Sequence, residues 1–211
     1  MKKYLCLLLV GTLALAACGS DDDDDNSAEQ TSTATGISKS GDTYMLKRKT
    51  GYGNDWIYVN LAKMDTVHVD EDSHATNTDW DLAFNRYNVR TNGGKSGVGE
   101  GGAYLTSKSS WNSVSAADIP DDSQFTADST AEITASLDFS SDFSMTTVES
   151  SYNYVLATAL QFSGPPPAYT PNANVFIIKS ADGTYYKFKA IGFYDEEGNS
   201  GFYNFGCVKL K

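Results

Sequence analysis

Toward its C-terminus the chain repeats one pattern that leaves little choice of architecture: short aromatic and β-branched runs divided by turn formers. Val175-Phe176-Ile177-Ile178-Lys179 leads into Ala181-Asp182-Gly183, and Thr184-Tyr185-Tyr186-Lys187-Phe188-Lys189 follows. The Asp-Gly pair marks a tight hairpin, because glycine adopts positive φ at no steric cost. A second turn at Glu196-Glu197-Gly198-Asn199 leads into a last strand, Gly201 to Leu210, so the chain is expected to end in an antiparallel meander. Similar runs occur upstream. Trp56 to Leu61 is one, and Thr66-Val67-His68-Val69-Asp70 alternates strictly, with Val67 and Val69 on one face. Trp80, Leu82 and Phe84 are expected to share a face of a strand that begins at Asp79. Helical periodicity is weak, the best candidate being a short turn near Ala116 to Ile119. The expected class is all-β.

The first residues follow different rules. MKKYLCLLLVGTLALA has a basic start at Lys2 and Lys3 and an apolar core too short to span a bilayer comfortably, as in a signal peptide. It ends in Leu15-Ala16-Ala17-Cys18, which resembles a bacterial lipobox: small residues suit the peptidase cleft and the Cys18 sulfur accepts the lipid. Residues 1–17 are therefore read as a lipoprotein signal peptide and Cys18 as the lipidation site. From Cys18 to Thr43 there is one large apolar residue, Ile37, among Ser, Thr, Asp and Gly. Such a segment cannot bury enough surface to offset its ordering entropy, so residues 18–43 are expected to be a disordered acidic tether. The run Asp21 to Asp25 resembles the surface-export signal of Bacteroidetes lipoproteins. The expected location is the outer membrane, lipid-anchored and exposed at the cell surface, with no other membrane contact, since anionic headgroups would repel the aspartates.

Residues 44–211 suit one domain with a sizeable core. With Cys6 in the signal and Cys18 lipidated, only Cys207 remains, so no disulfide can form within the domain. Without Lys2 and Lys3 the chain has 14 basic and 27 acidic residues, a net charge of −13; discounting Asp21 to Asp25 leaves −8. Nucleic acid is not an expected partner of so acidic a chain.

Two glycine motifs are decoys. Gly97-Val98-Gly99-Glu100-Gly101-Gly102 fits the dinucleotide fingerprint, but Ala103 to Ser107 reads as strand where a helix must open. Gly94-Lys95-Ser96 imitates the end of a phosphate loop, yet Val89 stands where a glycine is required. A loop whose backbone packs closely or turns sharply explains both. No catalytic constellation is visible. His68 flanks Val67 and Val69 as a solvent-facing strand residue, and His74 lies in the polar loop Glu71 to Thr78. Their spacing suits no helical metal pair, and no G-x-S-x-G elbow exists. Enzyme activity is not expected.

The segment Trp80-Asp81-Leu82-Ala83-Phe84-Asn85-Arg86-Tyr87-Asn88-Val89-Arg90-Thr91-Asn92-Gly93-Gly94-Lys95-Ser96-Gly97-Val98-Gly99-Glu100-Gly101-Gly102-Ala103 closely resembles the signature of the HmuY family, haem-binding lipoproteins (haemophores) of Bacteroidetes. Trp56-Ile57-Tyr58, Leu160-Gln161-Phe162-Ser163-Gly164-Pro165 and Asn174 to Gly183 agree in order and spacing. The resemblance implies a hand-like all-β domain of two antiparallel sheets, with ligand held between projecting loops, and haem as cargo captured for uptake. It also implies an outer-membrane haem receptor as a possible partner. Well-known members use two histidines and some relatives methionine. Here Phe162-Ser163-Gly164-Pro165 lacks the histidine, and near Asp142-Phe143-Ser144-Met145 the only soft donor is Met145, the candidate axial ligand to haem iron. Tyr169, beyond the stiff Pro165-Pro166-Pro167, is the candidate stacking wall. The alternative is the same scaffold without a haem site, binding a glycan, another planar apolar molecule or a protein.

Overall fold

Strands form wherever alternating apolar residues can be covered, and the computed structural model, which describes residues 36–138, 144–164 and 168–211, contains fourteen of them among those residues. The signal peptide, Cys18, Asp21 to Asp25, Asp142, Phe143 and Pro165 to Pro167 lie outside the described residues. A six-stranded antiparallel sheet has the order β1 (Ile37–Ser40), β2 (Thr43–Leu46), β14 (Ser200–Lys209), β13 (Tyr185–Tyr194), β12 (Phe176–Lys179), β7 (Gly102–Leu105). A four-stranded antiparallel sheet has the order β4 (Asp65–Val67), β3 (Ile57–Asn60), β5 (Leu82–Asn85), β6 (Asn88–Thr91). Two hairpins stand outside these sheets: β8 (Ser129–Asp138) with β9 (Ser144–Tyr152), and β10 (Leu160–Ser163) with β11 (Ala168–Pro171). The expected all-β class and C-terminal meander are both present. Gly183, at φ 80°, turns β12 into β13, and Asp182 Oδ1 accepts the Thr184 N–H at 3.0 Å.

The main core lies between the two large sheets. Ile57, Val59, Leu82, Phe84 and Val89 of one meet Tyr44, Phe188, Tyr203 and Phe205 of the other, with the Phe84 and Phe205 rings 5.3 Å apart. Each such buried ring contributes about 2–3 kcal/mol. Successive strand residues point to opposite faces, so Tyr58 and Ala83 leave this core for a second cluster with Trp56, Trp80 and Ile133. That cluster seats the β8–β9 hairpin on the outer face of the smaller sheet through Ile133 and Val148. A third cluster around Val114, Val175 and Ile177 covers the outer face of the larger one.

Three expectations change. The strands begin before Tyr44: Ile37, the lone large apolar residue of the expected tether, is fully buried in the main core and opens β1. Trp80 does not share a face with Leu82 and Phe84. β5 starts at Leu82 rather than Asp79, so Trp80 lies outside its alternation and packs in the second cluster. The strand expected over Thr66 to Asp70 ends at Val67, leaving His68 almost fully exposed beside Asp70.

The glycine-rich loop is tight, as its composition implied. A Cβ on Gly101 would stand 2.5 Å from the Asn92 carbonyl, and one on Gly94, at φ 61°, 2.3 Å from the Asp128 carbonyl oxygen. Strand β7 follows directly, so the dinucleotide fingerprint opens no helix. The expected turn at Ala116 is a 3₁₀ turn over Ala116–Asp118, capped by Ser115 and Asp118.

Candidate functional site

An aromatic cluster starts from a two-residue turn. Asn85 pairs with Asn88 across β5 and β6, leaving Arg86 and Tyr87 to reverse the chain, with Arg86 at φ 51°. Side chains other than glycine, asparagine or aspartate rarely adopt this left-handed conformation. Asn85 is buried and its Nδ2 donates to the carbonyls of Gly53 and Asp55 at 2.7 and 3.2 Å, which draws the loop carrying Tyr52 against the turn.

Hairpin β10–β11 packs on the other side of that turn. Tyr87 stacks on Phe162 at 6.3 Å and 11° between planes, and lies 6.2 Å from Tyr169. Irregular pairing in β13 between Ala190 and Tyr194 bends its end, bringing Phe193 to 4.4 Å and Tyr194 to 6.1 Å from the Tyr169 ring. Burial raises the Tyr169 hydroxyl pKa, and the nearby Arg86 guanidinium opposes that rise.

Hairpin β8–β9 is tied to the same loop. Gly53 N–H donates to the Thr134 carbonyl at 2.9 Å, and Thr134 Oγ1 lies 3.8 Å from Met145 Sδ. At the hairpin base Tyr152 and Tyr154 are 5.0 Å apart, ring to ring. Tyr52, Met145, Tyr154, Phe162 and Tyr194 are five of the seven large apolar side chains exposed among the described residues, Met145 at 57 % and Phe162 at 52 %. All five lie on the two hairpins or on the segments tied to them, and exposed apolar side chains of this kind suit a surface for a ligand or partner.

Met145 and Tyr169, the two candidates from the sequence, thus sit on different hairpins. Tyr169 is half-buried within a ring cluster, and the more open ring beside it is Phe162. Sequence reasoning missed Tyr52, Arg86 and Phe162 as site residues; the signal available was a two-residue turn holding an arginine between asparagines. Neither histidine joins the ring cluster. His74 Nδ1 contacts the Glu71 carbonyl, and its main-chain oxygen accepts the Trp80 indole N–H at 3.0 Å. Among the described residues no group of three or more His, Cys, Asp or Glu side chains could hold a metal ion.

Haem would need apolar walls, an axial donor and cations for its carboxylates. The rings around Tyr87, Phe162 and Tyr169 fit the first need, Arg86 fits the third, and the exposed Met145 thioether is the available soft donor. Two grooves lie away from these rings. A groove of about 420 Å³ is lined by Lys47, Arg48, Trp56, Val67 and His68, and a polar one of about 370 Å³ by Glu71, His74, Arg90 and Glu149.

No curated protein is similar in sequence. Three crystal structures share the fold. A Bacteroides vulgatus protein assigned as HmuY-like and haem-binding is 22 % identical, with TM-score 0.62 over 79 % of this chain and 91 % of that one. An apo HmuY analogue from Tannerella forsythia is 20 % identical, with TM-score 0.62 over 80 % and 95 %. A Bacteroides fragilis protein assigned as a lipoprotein is 21 % identical, with TM-score 0.61 over 79 % and 90 %. The HmuY protein family model matches residues 53–207, which take in the four-stranded sheet, both hairpins and β7, β12, β13 and most of β14 of the larger sheet, and the chain belongs to the HmuY family.

Proposed function

We propose that this protein is a lipid-anchored, surface-exposed binder of the outer membrane that captures haem as cargo for uptake, handing it to an outer-membrane receptor. The observation that carries the reading is the ring cluster of Tyr87, Phe162 and Tyr169, open to solvent at Phe162, with the Met145 thioether exposed on the other hairpin. Family membership and the haem-binding assignment of the Bacteroides vulgatus relative support it. Titrating the purified protein with haemin should produce a shifted Soret band in the absorbance spectrum, and the band should sharpen on reduction, since thioether favours ferrous iron. A spectrum equal to the sum of free haemin and protein in both redox states would refute the proposal.

One observation favours a second reading, in which the ring cluster takes a planar apolar molecule without using iron. Both histidines lie outside the ring cluster, so no imidazole is at hand to hold a metal. Binding of metal-free protoporphyrin as tightly as haemin would select that reading.

A further inference from the structure

Resting on the reading of the ring cluster as a site for a planar ligand, we propose that Arg86 selects ligands that carry a carboxylate. The Arg86 guanidinium carbon lies 4.1 Å from the Tyr52 ring centroid and 5.8 Å from that of Tyr87, and Nη2 donates to the Tyr169 hydroxyl at 3.0 Å. That hydroxyl is its only hydrogen-bond acceptor among the described residues, so the other guanidinium N–H groups of the fork are left for water or a ligand.

Arg86 differs from the other two arginines among the described residues. Arg48 and Arg90 face Asp55 and Glu71, whereas Arg86 has no carboxylate within 4.0 Å among those residues. A guanidinium without a carboxylate partner, stacked on one ring beside others, is suited to an anion that arrives with the ligand. Its fork is already fixed by one ring and one hydroxyl, so little ordering entropy remains to be lost when a carboxylate docks in bidentate fashion. Left-handed backbone at a position where glycine or asparagine would be unstrained adds to the case, because the residue kept there costs local stability.

The ring cluster beside Arg86 therefore fits an amphipathic planar molecule, its apolar face on Phe162 and Tyr87 and a carboxylate at Arg86. Haem and metal-free porphyrin acids share this chemistry. The test uses the full chain in mild detergent with haemin and haemin dimethyl ester, whose carboxylates are blocked. Unmodified protein should bind haemin about 10- to 100-fold more tightly than the ester, the range of a charged hydrogen-bonded contact. Arg86→Met should abolish that preference by weakening haemin alone, and Arg86→Lys should keep part of it. Added salt should weaken haemin binding and spare the ester. Equal binding of haemin and ester to unmodified protein would overturn the role of Arg86 and leave the haem-binding proposal standing. Loss of both ligands equally in Arg86→Met, with the circular dichroism spectrum unchanged, would reduce Arg86 to a support for the rings. If unmodified protein bound neither, the planar-ligand reading would fall and this inference with it.

Discussion

Arg90 and Glu71 form a doubly hydrogen-bonded ion pair, Nη2 to Oε1 at 3.0 Å and Nη1 to Oε2 at 3.2 Å, with the arginine side chain 2 % exposed and the glutamate 26 %. The same guanidinium sits 3.9 Å from the Trp56 ring centroid, and donates to the Ser151 carbonyl at 3.0 Å and the Tyr58 hydroxyl at 2.9 Å. It thereby fastens strand β9 and the 3₁₀ segment Glu71–Thr76 to the outer face of the four-stranded sheet. Breaking a buried pair strands the remaining charge. Glu71→Ala should cost about 2–3 kcal/mol in urea unfolding, less than a fully buried pair because Glu71 is partly solvated. Adding Arg90→Met to Glu71→Ala should recover part of that loss. A double mutant as unstable as the sum of the two singles would deny the coupling.

Asp128 should make the domain more stable in mild acid than at neutrality through its own titration. Burial pushes its carboxyl up to about 6, although it accepts bonds from Thr91 N–H at 2.9 Å, Thr91 Oγ1 at 2.6 Å and Asn153 Nδ2 at 3.0 Å. Because the folded value is raised, the folded state holds the proton between about pH 4 and 6 while the unfolded chain releases it. This contribution is present below pH 4 and lost as pH rises to about 6, roughly 3 kcal/mol in all. Asp81, also raised by burial, acts in the same direction, so a residual slope should survive in Asp128→Asn. A stability–pH curve between pH 4 and 6 that is as steep in Asp128→Asn as in the parent would refute the assignment.

Gly101→Ala should lower the melting temperature more than any exposed glycine substitution, Gly198→Ala included. The added methyl on Gly101 meets main-chain atoms of Asn92 that cannot move aside, whereas nothing lies within 4 Å of a Cβ on Gly198, which carries only its left-handed strain. A cost of about 2–4 kcal/mol is expected for Gly101 and about 1–2 for Gly198. Equal melting temperatures would contradict the packing argument.

Met145→Ala tests the axial donor separately from the fold. Its side chain is largely exposed, so unfolding free energy should change by less than about 0.5 kcal/mol. Haemin affinity should fall by about ten- to a hundred-fold, more in the ferrous state than in the ferric. His68→Ala and His74→Ala should leave the spectrum unchanged. A low-spin Soret band lost in either histidine variant but kept in Met145→Ala would assign the ligand to histidine.

Cys18→Ala should block lipidation and yield unprocessed precursor or a soluble released form. Continued partition into the detergent phase would refute the lipobox. With alanines at Asp21 to Asp25, the anchored protein should resist protease added to intact cells; unchanged digestion would make the run a spacer.

Period-two alternation, the Asp182-Gly183 turn and the close-packed glycines of the 93–102 loop were legible in the sequence because each is a local requirement of backbone geometry. The all-β class, the C-terminal meander and the failure of the dinucleotide fingerprint follow from them. Alternation was misleading only at an element edge, at Trp80, which lies outside the strand and does not obey its period, whereas Val69 still packs with Val67 against the second cluster although β4 ends at Val67. Ile37 shows a related limit. One apolar residue among serines and glycines looks dispensable until a hairpin with β2 sets Ile37 opposite Leu46 and the core formed by distant strands covers it.

The aromatic cluster belongs to the tertiary structure. Tyr52, Arg86, Tyr87, Phe162, Tyr169 and Tyr194 come from four separate stretches of chain, and no local rule brings them together. Two sheets packed face to face, a bent β13 and a left-handed turn decide that their rings meet. The charge on Arg86 could be read from the sequence, but not that it stays apart from carboxylates. Ion pairing depends on distances set by the packing of the whole domain, and those exist only once the chain has folded.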